Sequence, residues 1–152
     1  MEILKQNHVK YGLIMSAIIA VCLLFMEITG QNQSFDQKSP LVFFSMIVAP
    51  FIVWWMGIKA KKDSQKGKLT FKEGLKEGFK ISLVYGIVSP FVFVLYYLLI
   101  NPGILDYVRT SYNLTEASQM TVILVDMLVQ FISALIFGTI YAAIISFFVK
   151  AK

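Results

Sequence analysis

Apolar residues gather in four stretches, roughly Val9 to Thr29, Leu41 to Ile58, Phe79 to Ile100 and Met120 to Val149, with polar segments between them. Each reaches or approaches the ~20 residues that an α-helix needs to cross ~30 Å of hydrocarbon. Hydrocarbon offers no partner to a backbone amide, so every backbone group in such a stretch must be satisfied within it, as a helix does. The pattern therefore predicts an all-α polytopic membrane protein, a single domain over residues 1–152 in which four transmembrane helices pack as a bundle. The lysines alternate with the spans. Lys5 and Lys10 precede the first, eight lysines from Lys59 to Lys80 lie between the second and third, and Lys150 and Lys152 follow the last. Only Lys38 and Arg109 fall in the other two loops. Because basic loops stay on the cytoplasmic side, both termini and the central loop are expected inside.

The connections carry signals of their own. Gly30 to Pro40, rich in Gln and Ser, reads as a plain hairpin connection. Lys59 to Lys68 reads as a solvated turn, and Thr70 with Glu73 is a capping-box pattern that starts the third helix before its apolar part. Lys72, Lys76 and Lys80 share one face of this short amphipathic extension, while Phe71, Leu75 and Phe79 share another. It is expected to lie along the inner interface, with the three lysines on lipid headgroups. In the second outer loop, Asn101-Pro102 suits a helix start, and Ile104, Leu105 and Val108 give a short apolar edge. Thr115 is a candidate cap for the final helix. Tyr11, Trp54 and Trp55 near the inner boundary, and Tyr96 and Tyr97 near the outer one, read as aromatic belts.

Composition narrows the class. A hydrophobic content of 57% and a mean hydropathy of +0.70 exceed what a soluble domain of this size would bury. The net charge of +5 lies beside the spans, so anionic lipid is the expected counter-charge and nucleic acid is not. The single cysteine, Cys22, rules out an internal disulfide and a cysteine metal cluster, and reads as a small apolar filler. The first apolar run is too long for a cleaved signal sequence and reads as a retained helix. The triplets at Asn32 and Asn113 match a glycosylation pattern that arises often by chance. A faint repeat, Tyr11-Gly12-Leu13-Ile14 against Tyr85-Gly86-Ile87-Val88, is also at the level of chance. His8 is the sole histidine, and no hydrolase, metalloprotease or nucleotide-binding motif is present, so no enzyme, cofactor or metal is expected.

Polar and small residues inside the spans are the candidate sites. Gly74, Gly78, Ser82 and Gly86 recur every fourth residue, as do Ala134 and Gly138 in the last span, and Gly12 and Ser16 begin a similar row in the first. Such rows let helix backbones approach closely, so intramolecular packing is the preferred reading and contact with a second copy or a membrane-protein partner the alternative. Glu27 and Asp126 fall at matching depths in the outer third of the bilayer, with Gln130 one turn deeper. They form a candidate proton or cation site, although a structural role is favoured because no basic residue lies deep in a span to complete a relay. Pro50 and Pro90 each free a carbonyl, on Met46 and Gly86, and are expected chiefly to bend their helices.

Several of these landmarks together resemble a known family. They are Lys10-Tyr11-Gly12, Lys62-Asp63 with Gly67, the run Leu69-Thr70-Phe71-Lys72-Glu73-Gly74-Leu75-Lys76-Glu77-Gly78-Phe79, and Asn101-Pro102. In these residues the chain is similar to bacterial membrane proteins grouped as domain of unknown function 4199 (DUF4199). The resemblance implies four helices in a bacterial inner membrane and no particular activity. Three functions stay open: a non-catalytic scaffold or accessory subunit of a membrane assembly, a small proton- or cation-coupled transporter using Glu27 and Asp126, and anionic-lipid sensing by the Lys59 to Lys80 segment.

Overall fold

A computed structural model describes residues 6–30 and 40–150. Lys5, Lys38, Lys152 and the Asn32 triplet lie outside them. The described residues form five helices: α1, Asn7–Ile28; α2, Pro40–Ser64; α3, Phe71–Leu99; the short α4, Gly103–Ser111; and α5, Gln119–Val149. All but α4 are long and apolar enough to cross a membrane. The four long helices run alternately up and down as a bundle. Its terminal end holds the start of α1, the 65–70 turn and the end of α5. Its distal end holds the end of α1, Asn101, α4 and the start of α5. α3 packs along α5 and α1, and α2 completes the square against the same two, so α1 and α5 stand on opposite corners.

The contact of α3 with α5 follows from its small residues. A Cβ placed on Gly74 would meet Ser146, one on Gly78 would meet Ala142, one on Gly86 would meet Ala134, and one on Gly138 would meet Ser82. These pairs keep one antiparallel register over four turns, and the missing side chains are what let the two backbones approach. The rows read from the sequence are thus brought together, with Gly12 against Val84 on the other side of α3.

Three expectations about helix ends change. α2 continues through residues 59–64, so the chain turns only over 65–70, where Lys66 and Gly67 take positive φ of 53° and 82°. Lysine is a good helix former, and Lys61 and Lys62 in the last turn face its free carbonyls, which stabilises the extension. The amphipathic extension is the first part of α3 itself and runs into the span without a break. Gly74, Glu77 and Gly78 bury it against its neighbours, so it does not lie apart on the interface. The last helix is capped by Ser118, whose Oγ accepts from the Thr121 amide at 3.2 Å, and not by Thr115.

The capping box forms as read: the Glu73 amide donates to Thr70 Oγ1 at 3.3 Å and the Thr70 amide donates to Glu73 Oε2 at 2.9 Å. Thr70→Ala is expected to cost about 1 kcal/mol. The check is thermal unfolding in nanodiscs, where an unchanged midpoint would show that packing alone starts α3.

Pro50 reshapes α2. Lacking an amide hydrogen, it cannot bond the Met46 carbonyl, and its ring crowds that oxygen. The preceding turn widens into a π-helical segment, Phe44–Val48, in which the Ala49 amide donates to Phe44 O. The freed Met46 carbonyl accepts from the Tyr141 hydroxyl of α5 at 3.1 Å. It therefore ties two helices together.

Candidate functional site

Both intramembrane carboxylates sit toward the distal end, and α3 reaches both. Glu27, in the last turn of α1, accepts the Tyr96 hydroxyl at 2.5 Å and the Asn101 side-chain amide at 2.9 Å. Asp126 of α5 is buried and accepts the Tyr97 hydroxyl at 2.9 Å, the Tyr112 hydroxyl at 3.2 Å and the Gln130 amide at 2.5 Å. Successive residues on a helix point about 100° apart. Tyr96 and Tyr97 can therefore turn to opposite corners of the bundle, one toward α1 and one toward α5. Their rings meet edge to face, with centroids 6.4 Å apart.

The structure thus places Glu27 at one corner and Asp126 with Gln130 at the opposite one, linked through adjacent phenols of α3, and each carboxylate accepts hydrogen bonds from neutral side chains. This arrangement suits a structural lock, because a buried acceptor is stabilised by donors from another helix and holds that helix in place. Among the described residues no group of three or more His, Cys, Asp or Glu side chains is placed to hold a metal ion.

Three of the donors carry other readings in the sequence. Tyr96 and Tyr97 were expected in an aromatic belt but are 2% and 3% exposed, because each phenol turns inward to a carboxylate. Trp54 also leaves the expected belt, buried in the bundle with its indole N–H 3.3 Å from Ser82 Oγ. Asn101, read as a helix start, turns its side chain to Glu27 while α4 begins at Gly103. Tyr112, just past the short apolar edge of the second outer loop, carries no signal of its own in the sequence. That loop is held by Arg109, whose Nη1 donates to Ala117 O at 2.9 Å.

Tyr112 lies outside the spans. Burial, then the charge of Asp126 and the hydrogen bond to it, push its phenol up to about 12. An unfolded tyrosine titrates near ~10, so the folded protein keeps this proton to higher pH. The stabilisation is present below about pH 10 and is lost as pH rises toward 12. Tyr112→Phe is expected to shallow the fall in melting temperature across that interval. The same alkaline slope in the variant would assign it to other groups.

A second carboxylate cluster lies near the terminal end. Glu77 is buried in the second turn of α3 and accepts the Asn7 side-chain amide at 2.9 Å, with His8 Nδ1 at 3.7 Å. Asn7 also donates to Gly57 O at 2.8 Å, so the first turn of α1 is latched to both α2 and α3. The sequence singles out neither His8 nor Glu77 as a contact of this kind. Lys72 and Lys76 stay exposed beside this cluster and Lys80 is half-buried.

Between these ends the bundle encloses a cavity of about 620 Å³. Its terminal-end floor includes Trp54 and Gly138, and Gln130 and Tyr112 line it toward the distal end. Cys22 forms part of the α1 wall. The remaining lining is mostly aliphatic and aromatic.

A family model described as a protein of unknown function (DUF4199) matches residues 10–151. No curated protein and no solved structure matches the chain.

Proposed function

This chain belongs to the DUF4199 family of proteins of unknown function, and from that premise we propose that it is a non-catalytic scaffold or accessory subunit of a membrane assembly. The observation that supports this reading is that Glu27 and Asp126 each accept from a phenol of α3, Tyr96 and Tyr97 respectively, with further neutral donors from Asn101 to Glu27 and from Tyr112 and Gln130 to Asp126. Groups held in this way lock helices together, and a lock needs no traffic of protons or ions. The lipid-facing surface left by the bundle is broad, with Phe137, Phe147 and Phe148 among its exposed side chains. A second copy or another membrane protein would meet it there.

The host membrane in this proposal is a bacterial inner membrane, with both termini in the cytoplasm. Its support is the lysine bias, since the terminal end of the bundle gathers Lys10, Lys59 to Lys80 and Lys150. Lys72, Lys76 and Lys80 would then meet anionic headgroups.

Two measurements, one in native membranes and one on the purified protein in vesicles, test the role. Chemical cross-linking in native membranes is expected to join the chain to itself or to one membrane partner at defined lysines. Vesicles carrying an internal pH dye and the purified protein are expected to show the proton leak of empty vesicles, in wild type and in Asp126→Asn alike. A cation- or proton-dependent flux abolished by Glu27→Gln or Asp126→Asn would overturn the scaffold reading in favour of the carrier.

A further inference from the structure

We infer that the intrabundle cavity is a binding site for a single-tailed amphiphile whose small polar end carries an O–H or N–H donor, admitted sideways from the bilayer between α2 and α5. This inference does not depend on the scaffold reading.

The volume, about 620 Å³, falls within the ~300–1,000 Å³ of small-molecule sites, and the mainly apolar lining suits a hydrocarbon body. The sideways opening follows from side chains that line the cavity and are also exposed. On α2 these are Met46 and Ile47, and on α5 Val129 and Phe137. Ser45, Met46 and Ile47 belong to the π-helical segment, so the widened turn before Pro50 shapes this wall. The hydroxyl of Tyr141 on Met46 O ties α2 to α5 at the edge of the same opening.

Gln130 selects the polar end. Its amide nitrogen donates to Asp126 Oδ2 at 2.5 Å, which turns the amide oxygen away from the carboxylate. Its Oε1 is consequently an acceptor, and it is buried without a hydrogen-bond partner in a residue that lines the cavity. A buried acceptor without a partner is costly, and a ligand donor would remove that cost. Gln130 lies roughly 16 Å along α5 from the first residue of that helix, at the usual rise per residue. A phosphate headgroup stays at the interface, so a hydroxyl or amine on one chain fits this depth where a two-tailed phospholipid does not.

The test uses the full chain in phosphatidylcholine nanodiscs and three photoactivatable diazirine probes: hexadecanol, its methyl ether and phosphatidylcholine. The alcohol is expected to label peptides 19–26, 42–54 and 129–141 at a half-saturating concentration roughly tenfold below that of the ether, which lacks the donor. Gln130→Leu should bring the alcohol to the level of the ether and leave the ether unchanged. Ser133→Phe, which fills the lining, should reduce labelling by both, and it replaces the Gln130 variant if that one fails to fold. Equal labelling by alcohol and ether, labelling by phosphatidylcholine as strong as by the alcohol, or no label in these peptides in wild type would each overturn the proposal.

Discussion

Gly78→Leu is expected to abolish the folded bundle, seen as loss of the cooperative unfolding transition in nanodiscs and aggregation on purification. A Cβ at Gly78 would fall 3.2 Å from the Cα of Ala142 and 3.3 Å from Ile58 Cδ1, besides striking the Ala142 methyl. Backbone on one side and a buried isoleucine on the other leave a leucine nowhere to go, so α3 must separate from α5 or from α2. Membrane helices have no hydrophobic drive to hold them together across a gap, and close packing carries the association. Even alanine should cost about 1–3 kcal/mol, as overpacking does. The effect should also be local to the register. Gly86, whose added Cβ would stand 3.2 Å from Ala134 Cβ and Phe131 Cδ2, should tolerate alanine better than Gly78 does. Ala142→Gly should recover part of the loss in Gly78→Ala, because the glycine is merely moved across the contact. Equal tolerance at both sites, with no recovery, would mean that the seam is a sequence pattern without packing consequence.

The seam was legible because a four-residue recurrence of small side chains has one efficient use in lipid, and so was the capping box at Thr70 and Glu73, whose chemistry is local. The spans were legible for the same reason: length and hydropathy constrain a membrane helix without reference to its neighbours. What lay beyond the sequence was the identity of partners. Glu27 and Asp126 stood out as ionisable groups in apolar surroundings, yet nothing in their neighbourhoods pointed to tyrosines near the far end of α3. Tyr96 and Tyr97 have the composition and depth of a belt, and only the packing of α3 between opposite corners turns them inward. The same holds for Trp54, drawn into the bundle by the space that Gly138 leaves and by the hydroxyl of Ser82. Glu77 was hidden differently. Its spacing among lysines resembles a solvated face, while the fold buries it under the first turn of α1. Pro50 announced a bend, but that Met46 O would be met by Tyr141, 95 residues away, depends on the bundle alone.

The double variant Tyr97→Phe with Tyr112→Phe should be the most destabilising change that alters no helix backbone. Each phenylalanine keeps the ring and removes one donor, so Asp126 would remain buried with Gln130 as its remaining donor of the three. Single interhelical hydrogen bonds in membranes are worth about 0.6 kcal/mol and at most about 1.7. Stranding a buried acceptor costs more than the bonds themselves, and about 3 kcal/mol is expected for the pair. Denaturant titration of the reconstituted protein measures it. The informative step is to add Asp126→Asn to the double variant. If the carboxylate is a lock held by phenols, an amide in the same place is less costly to leave unpartnered, and the triple variant should regain stability relative to the double. If Asp126 is instead kept for a bound cation, the cation would go on stabilising the carboxylate after the phenols are gone. The asparagine would then lower stability further, with a difference that grows as salt is added. The sign of that one change separates a residue that holds helices from a residue that holds an ion, and the neutral donors around Asp126 make recovery the expected result.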